Sequence, residues 1–404
     1  MLAWKQPPNR AEPDRCAEPW TRVTGIYAGG DPATFEREKF MNWLSTSRTV
    51  LCLLVCLAWL AACSGEDPGS LPEPASEPDP EPSTEVPTVV VLPSEQLVPW
   101  LESEGWWGTV NSENQATVPH VLITRIRPSW RENANTLPVD VKKGLFYRLM
   151  LPLVMHANKM ALDFREGLLT AQTEWQTDGL ISVESLVLLR RLAPLLPGMT
   201  VEDSQTLTAG DPKMGEMLDT LIYRVDAVPA GLALGQAAYE SGYGTSRFAV
   251  EGNSLFGQWT YTGDGIKPEQ QRRESKGDHR IKAFEWPFDS VRGYFVNLMT
   301  HPAYEDFRRL RAEMRSAGEP LESLRLANGL LRYSERGEAY VDSLKGIIRH
   351  NKLHMADGLR FRDEPIRFLL IGEDEAEVAA IERAIAEATN SGELAEIYQR
   401  MKLD

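Results

Sequence analysis

The chain has 404 residues, 42% of them hydrophobic and 25% charged, which allows two or three domains with at least one sizeable core. A formal net charge of -15 argues against a nucleic-acid partner, because phosphate binding needs clustered Lys and Arg. All four cysteines, Cys16, Cys52, Cys56 and Cys63, lie near the start, so the chain beyond Cys63 has no disulfide, no Cys-ligated metal and no thiol nucleophile.

Residues 1–40 fit no export signal. They have no apolar core and carry Pro7, Pro8 and Pro13, which points to Met41 as the true start. From there the chain shows one early positive charge, Arg48, and then an apolar run from Val50 to Leu60, too short to span a bilayer but right for a signal-peptide core over 41–62. Leu60-Ala61-Ala62-Cys63 resembles the lipobox of bacterial lipoproteins, whose cysteine is acylated. That resemblance implies a lipid anchor on Cys63. Ser64 in place of Asp implies the periplasmic face of the outer membrane. Residues 63–96 are rich in Pro and Glu and read as an extended tether, of which the 25–30 residues after Cys63 reach on the order of 80–90 Å.

Residues 97–222 read as a helical accessory region. Trp100, Trp106, Trp107 and Trp130 cluster in a turn-rich stretch and suggest a lid. Leu145, Leu149, Leu153, Ala157, Met160 and Phe164 fall at helical spacing over 141–171, with a kink or break expected at Pro152. Further helices are expected over 183–195 and 213–225. His350 and His354 have helical i, i+4 spacing but lack the Glu of the zinc-protease pattern, so they read as a solvated face and no metal site is expected.

Asp226 and Pro229 are suitable helix-start signals, and Ala233, Ala237 and Glu240 then share one face. Gly242 and Gly244 end the helix, leaving Glu240 in its last turn, where the helix dipole and partial burial both raise a carboxylate's pKa. A general acid needs that shift, although on spacing alone a glutamate here more often caps or salt-bridges a helix end.

The run QAAYESGYGTSRFAVEGNSLFGQW resembles the signature of glycoside hydrolase family 73, the bacterial glucosaminidases, and is most similar to the Bax-type members. The similarity continues through HRIKAFEWPFDSVRGYFVNLMTHPAYEDFRRLRAEMR and YSERGEAYVDSLKGIIRHNKL, so the catalytic domain is expected over 223–355. The resemblance implies an α+β, mostly helical, lysozyme-like fold with a helical lobe and a small β-hairpin lobe. It also implies cleavage of the β-1,4 bond between N-acetylglucosamine and N-acetylmuramic acid in peptidoglycan glycan strands, without a cofactor.

By the same resemblance Glu240 is the general acid and Tyr333 the family's tyrosine. Gln236, Tyr243, Asn253, Phe256, Trp259 and Tyr261 are expected to bind substrate, with Tyr243 standing where Trp is usual. A second carboxylate is expected on the hairpin. Glu274 is the first choice, followed by Glu269, with Asp278 also available. The substrate's N-acetyl group could instead supply the nucleophile. Tyr294 and Tyr304 can stack on sugar or pack in the core, and the spacing of Tyr294 favours the core. Residues 356–404 lie beyond the resemblance, with a strand expected over 365–371 and helices over 375–389 and 392–401. A lytic transglycosylase and a weakly catalytic wall-binding module are the competing readings.

Overall fold

The computed structural model describes residues 87–108, 117–260, 265–268, 280–392 and 394–395. The expected signal peptide, Cys63 and most of the tether lie outside these residues, as does most of the helix expected over 392–401. Strand β1 (Thr88–Pro93) falls inside the stretch read as tether. Its three valines are β-branched and suit a pleated, half-buried surface, so the folded body begins by Thr88 and not at Leu97. Helix α1 (Leu97–Ser103), strands β2 (Thr117–Val118) and β3 (Val121–Ile123), and helix α2 (Trp130–Thr136) come next.

Helix α3 (Val139–Asp178) runs for 40 residues through Pro152 without a break. Proline has no N–H to offer the carbonyl four residues earlier, here that of Arg148. Trp106 takes the place of that donor, giving its indole Nε1–H to the Arg148 carbonyl at 3.0 Å. The Arg148 guanidinium lies over the same indole, 4.1 Å from its centre, and its Nε donates to the Gly108 carbonyl. Trp106 is therefore a buried brace on α3, not part of a lid. Trp107 packs against Gly144 of the same helix.

Beyond α3 lie helices α4 (Val183–Leu192), α5 (Val201–Gln205) and α6 (Met214–Arg224), with α4 and α6 packed on α3. Helix α7 (Ala230–Ser241) is apolar on nearly every side and is buried continuously from Ala230 to Ala238. After α8 (Arg247–Gly252) comes a small antiparallel sheet, the β lobe, of strands β4 (Trp259–Thr260), β5 (Gly265–Ile266) and β6 (Arg280–Lys282), with β6 in the middle.

Helices α9 (Pro287–Thr300), α10 (Glu305–Ser316), α11 (Ser323–Leu326) and α12 (Glu338–His350) complete the helical lobe. Two glycines let this layer close on α7. A Cβ at Gly231 would lie 2.4 Å from the Leu353 carbonyl oxygen, and one at Gly235 would lie 2.9 Å from Ile348 of α12. The chain entering α7 is pinned from α10. Arg311, 1% exposed, donates to the carbonyls of Tyr223, Arg224, Asp226 and Ala227, and Arg315 donates twice to the buried Asp226 carboxylate.

Strands β7 (Arg360–Phe361) and β8 (Arg367–Gly372) and helix α13 (Glu375–Asn390) come last. Strand β8 lies between β1 and β3 in a parallel sheet, with Thr88 and Val121 both opposite Arg367. Strand β7 pairs in parallel with β2. The segment beyond the resemblance thus supplies the middle of a sheet. A buried histidine pair joins this layer to α3: His120 Nε2 and His156 Nδ1 are 3.0 Å apart, and His120 stacks on Phe361. Burial pushes the His120 pKa down to about 4. The fold is α+β and mostly helical, and no described helix is long and apolar enough to cross a membrane.

Candidate active site

Glu240 lies in the last turn of α7. The helix stops there because Gly242, Tyr243 and Gly244 all take left-handed φ, at 59°, 61° and 76°. For a tyrosine this conformation costs roughly 1–2 kcal/mol. Tyr243 is held in it by its carbonyl, which accepts from Trp130 Nε1 at 3.0 Å, and by its ring, which meets Phe146 and Tyr147 edge-on.

Glu240 keeps partial contact with solvent, yet desolvation pushes its pKa up to about 7. The Tyr340 hydroxyl opposes that shift by acting on the carboxylate as a hydrogen-bond donor. Tyr304, Tyr333 and Tyr340 are raised well above the ordinary tyrosine range, first by burial and further by the negative charge of Glu240. The acid therefore sits on a floor of buried phenols. Tyr333 stacks on Tyr340 with ring centres 5.4 Å apart, and Phe256 stacks on Tyr294 at 4.1 Å.

Several residues expected to touch substrate instead support this floor. Gln236 is fully buried: its Oε1 accepts from the Tyr294 hydroxyl at 2.5 Å and its Nε2 donates to the Tyr340 hydroxyl at 3.1 Å. Phe256 is also fully buried, and its carbonyl accepts from Tyr333. Neither offers a surface to a sugar. Asn253 takes left-handed φ and ties three backbone segments together. Its Nδ2 donates to the Phe284 and Glu285 carbonyls, and its Oδ1 accepts from Ile126 N–H. With both amide protons committed, it braces the cleft wall. Tyr333 is 1% exposed and meets Tyr340, not open cleft.

Tyr294 and Tyr304 are core residues with zero exposure. Tyr243 and Trp259 keep partial exposure, and Lys143 lies 5.7 Å from the centre of the Tyr243 ring. Glu274, its alternatives Glu269 and Asp278, and Tyr261 lie outside the described residues. Helix α12 ends at His350, and Lys352 is left-handed, so His354 is not one turn further along the same helix. Among the described residues no group of His, Cys, Asp and Glu could hold a metal ion.

Tyr340 is the buried phenol of this floor that the sequence does not announce. Its spacing with Leu344 and Ile348 marks a buried helix face, but nothing in that stripe says its hydroxyl meets Gln236, 104 residues away. A cavity of about 780 Å³ between α3, the start of α7 and the 359–361 segment does not include Glu240. There Asp357 accepts from Gly231 N–H and from the N–H and hydroxyl of Ser323, which anchors the start of α7.

Residues 221–353 match the family model described as mannosyl-glycoprotein endo-beta-N-acetylglucosaminidase. Over 134 residues the chain is 34% identical to Protein bax of Escherichia coli (strain K12), covering 33% of this chain and 47% of that protein. The chain thus spans about half the length of the curated relative it matches. No solved structure matches it. The matched segment carries Glu240 and its phenol floor, but neither the long helix α3 nor the β1–β8–β3 sheet.

Proposed function

We propose that the protein, whose residues 221–353 form a glucosaminidase-family domain, is a peptidoglycan hydrolase cleaving the β-1,4 bond between N-acetylglucosamine and N-acetylmuramic acid, with Glu240 as general acid. The observation that carries this reading is Glu240 itself, a partly accessible carboxylate with its pKa raised to about 7. A group with that pKa holds a proton near neutrality and releases it readily, which suits protonation of a leaving oxygen.

In the proposed reaction Glu240 gives its proton to the glycosidic oxygen as the bond to the anomeric carbon breaks, and water supplies the hydroxyl to that carbon. The oxocarbenium-like charge that develops needs a second negative or nucleophilic group. Glu274 is our first assignment, and the N-acetyl oxygen of the substrate is the other source. Tyr243 and Trp259 are proposed to line the sugar path, since their partly exposed rings match the apolar faces of pyranoses.

Digestion of purified sacculi tests the reading. Wild-type protein is expected to create new reducing N-acetylglucosamine ends, while Glu240→Gln loses at least about 100-fold in rate. Anhydromuramic ends would overturn hydrolysis in favour of a transglycosylase. Equal turbidity loss by the two proteins would overturn the role of Glu240. We further propose that acylated Cys63 anchors the enzyme at the periplasmic face of the outer membrane, the acidic segment serving as tether. Labelling with a fatty-acid analogue should then require Cys63, and Cys63→Ser should move the protein to the soluble fraction. A serine variant that stays membrane-bound would overturn the anchor.

A further inference from the structure

Beside the proposed acid stands an oriented cation, Arg336. It lies on the turn 334–337 between Tyr333 and Tyr340, two residues of the phenol floor. Gly337 closes the turn with φ 52° and ψ -121°, a conformation open to glycine because it has no Cβ. The Arg336 side chain thereby reaches the end of α7. Its Nη1 donates to the Tyr239 hydroxyl, and its Nη2 donates to the Ser343 hydroxyl at 3.2 Å and the Ala339 carbonyl at 3.4 Å. Tyr239 directly precedes Glu240 in the last turn of α7 and meets Tyr340 edge-on, with ring centres 5.4 Å apart.

The Tyr239, Ser343 and Ala339 oxygens are all neutral. They fix the direction of the guanidinium and leave its charge uncompensated, and among the described residues no Asp or Glu forms an ion pair with it. Other exposed arginines of the helical lobe are neutralised: Arg309 pairs with Asp306 and Glu313, and Arg325 with Glu319. Arg336 is exposed and Tyr239 keeps partial exposure. The Tyr239 hydroxyl accepts from Arg336, so it still has its own proton to donate.

We propose that Arg336, oriented by Tyr239, is a specificity-determining residue that binds a carboxylate of the glycan substrate beside Glu240. The inference rests on the proposed function and names the substrate as an anionic strand. N-acetylmuramic acid carries a lactyl ether whose carboxyl is a free anion in a peptide-free strand. Where a stem peptide is attached, that carboxyl is an amide and the peptide supplies carboxylates instead. A polymer of N-acetylglucosamine alone offers neither. Tyr239 and Glu240 are consecutive, so their side chains diverge by about 100° around α7, which sets the cation to one side of the acid. In keeping with this, Arg336 is not among the groups that shift the Glu240 pKa.

An arginine that only fastened the turn to α7 would serve every substrate alike, and the test uses that difference. Peptide-free strands and strands with stem peptides are each prepared with their carboxyls free or amidated. Wild-type protein should show a KM roughly tenfold lower for free carboxyls than for amidated ones. Arg336→Gln should erase the difference by raising KM on the charged strands alone, with kcat and the pH–rate profile unchanged. Arg336→Lys keeps the charge and should keep most of the preference. Arg332→Gln removes an equal, exposed charge four residues earlier and should leave the preference intact. A preference in peptide-free strands assigns the contact to the lactyl carboxylate, and one confined to strands with stem peptides assigns it to a peptide carboxylate. Equal loss on charged and amidated strands in Arg336→Gln, or no loss on either, overturns the proposal.

A second readout needs no turnover. It is the affinity of Glu240→Gln protein for fluorescently labelled strands, with and without the Arg336→Gln change. A carboxylate preference that depends on Arg336, when wild-type protein cuts no glycan, would sustain the site and defeat the proposed function. Cleavage by wild-type protein with no carboxylate preference would do the reverse.

Discussion

At the scale of single residues, the raised pKa of Glu240 has a cost to stability as well as its proposed use in chemistry. Its folded pKa of about 7 lies above the ordinary 4.5. Below pH 4.5 the group is protonated in folded and unfolded chains alike, and no penalty exists. As pH rises past 7 the folded protein must hold a desolvated carboxylate, and the penalty is complete. Glu240→Gln is therefore expected to stabilise the fold at pH 8 by about 1–3 kcal/mol after allowing for partial solvent contact, and to change nothing at pH 4. Thermal unfolding at the two pH values checks this, and equal melting temperatures at pH 8 would contradict it. The place of Glu240 in the last turn of a buried helix was legible in the sequence because helix spacing and two glycines converge on one position. Its support was not legible. Gln236 and Tyr340 meet only through packing between helices, and residues named for sugar contact, Gln236 and Phe256, are turned inward.

At the scale of elements, α3 shows how a rule about one residue can be met from elsewhere. The break expected at Pro152 rests on an unpaired carbonyl at Arg148, and Trp106 removes that problem from 42 residues away. Trp106→Phe should cost about 1–3 kcal/mol, the price of a buried carbonyl left without a donor. In a Pro152→Ala background the helix regains its own N–H, so the same tryptophan change should cost about 1 kcal/mol less. A double-mutant cycle in urea measures the difference, and strict additivity would show that Trp106 acts through packing alone. Periodicity located α3 correctly because it is local. It could not report a tryptophan arriving from outside the helix.

At the scale of the whole molecule, the segment that matches the glucosaminidase model and the rest of the chain are not separable in the way the sequence suggested. Residues 356–404 read as an appendage, yet β8 is the strand that β1 and β3 both pair with. Parallel pairing between distant segments leaves no local trace in a sequence, whereas antiparallel hairpins announce themselves through their turns. A chain ending at Gly358 would leave β1 and β3 unpaired and would lose the buried side chains of Phe368, Leu369 and Ile371. A loss of at least about 3 kcal/mol is expected, which lowers the melting temperature by roughly 6–12 °C in a body of this size. Hydrogen exchange should rise most over Val89–Leu92 and Leu122–Ile123. Unchanged protection there would mean that the sheet is dispensable.

The same sheet also sets an order of events. Strand β1 is made before β8, with the whole segment that matches the glucosaminidase model between them. Contacts this far apart in the chain close late, because they must wait for both ends and for the entropy of the loop between them. The site around Glu240 can thus be complete in a chain whose first strand still has no partner. Only when Gly372 has been added can the ladder zip to its last register pair, Pro93 opposite Gly372. The state of the sheet therefore separates a chain that has reached Gly372 from a shorter one that already contains every residue of the proposed chemistry.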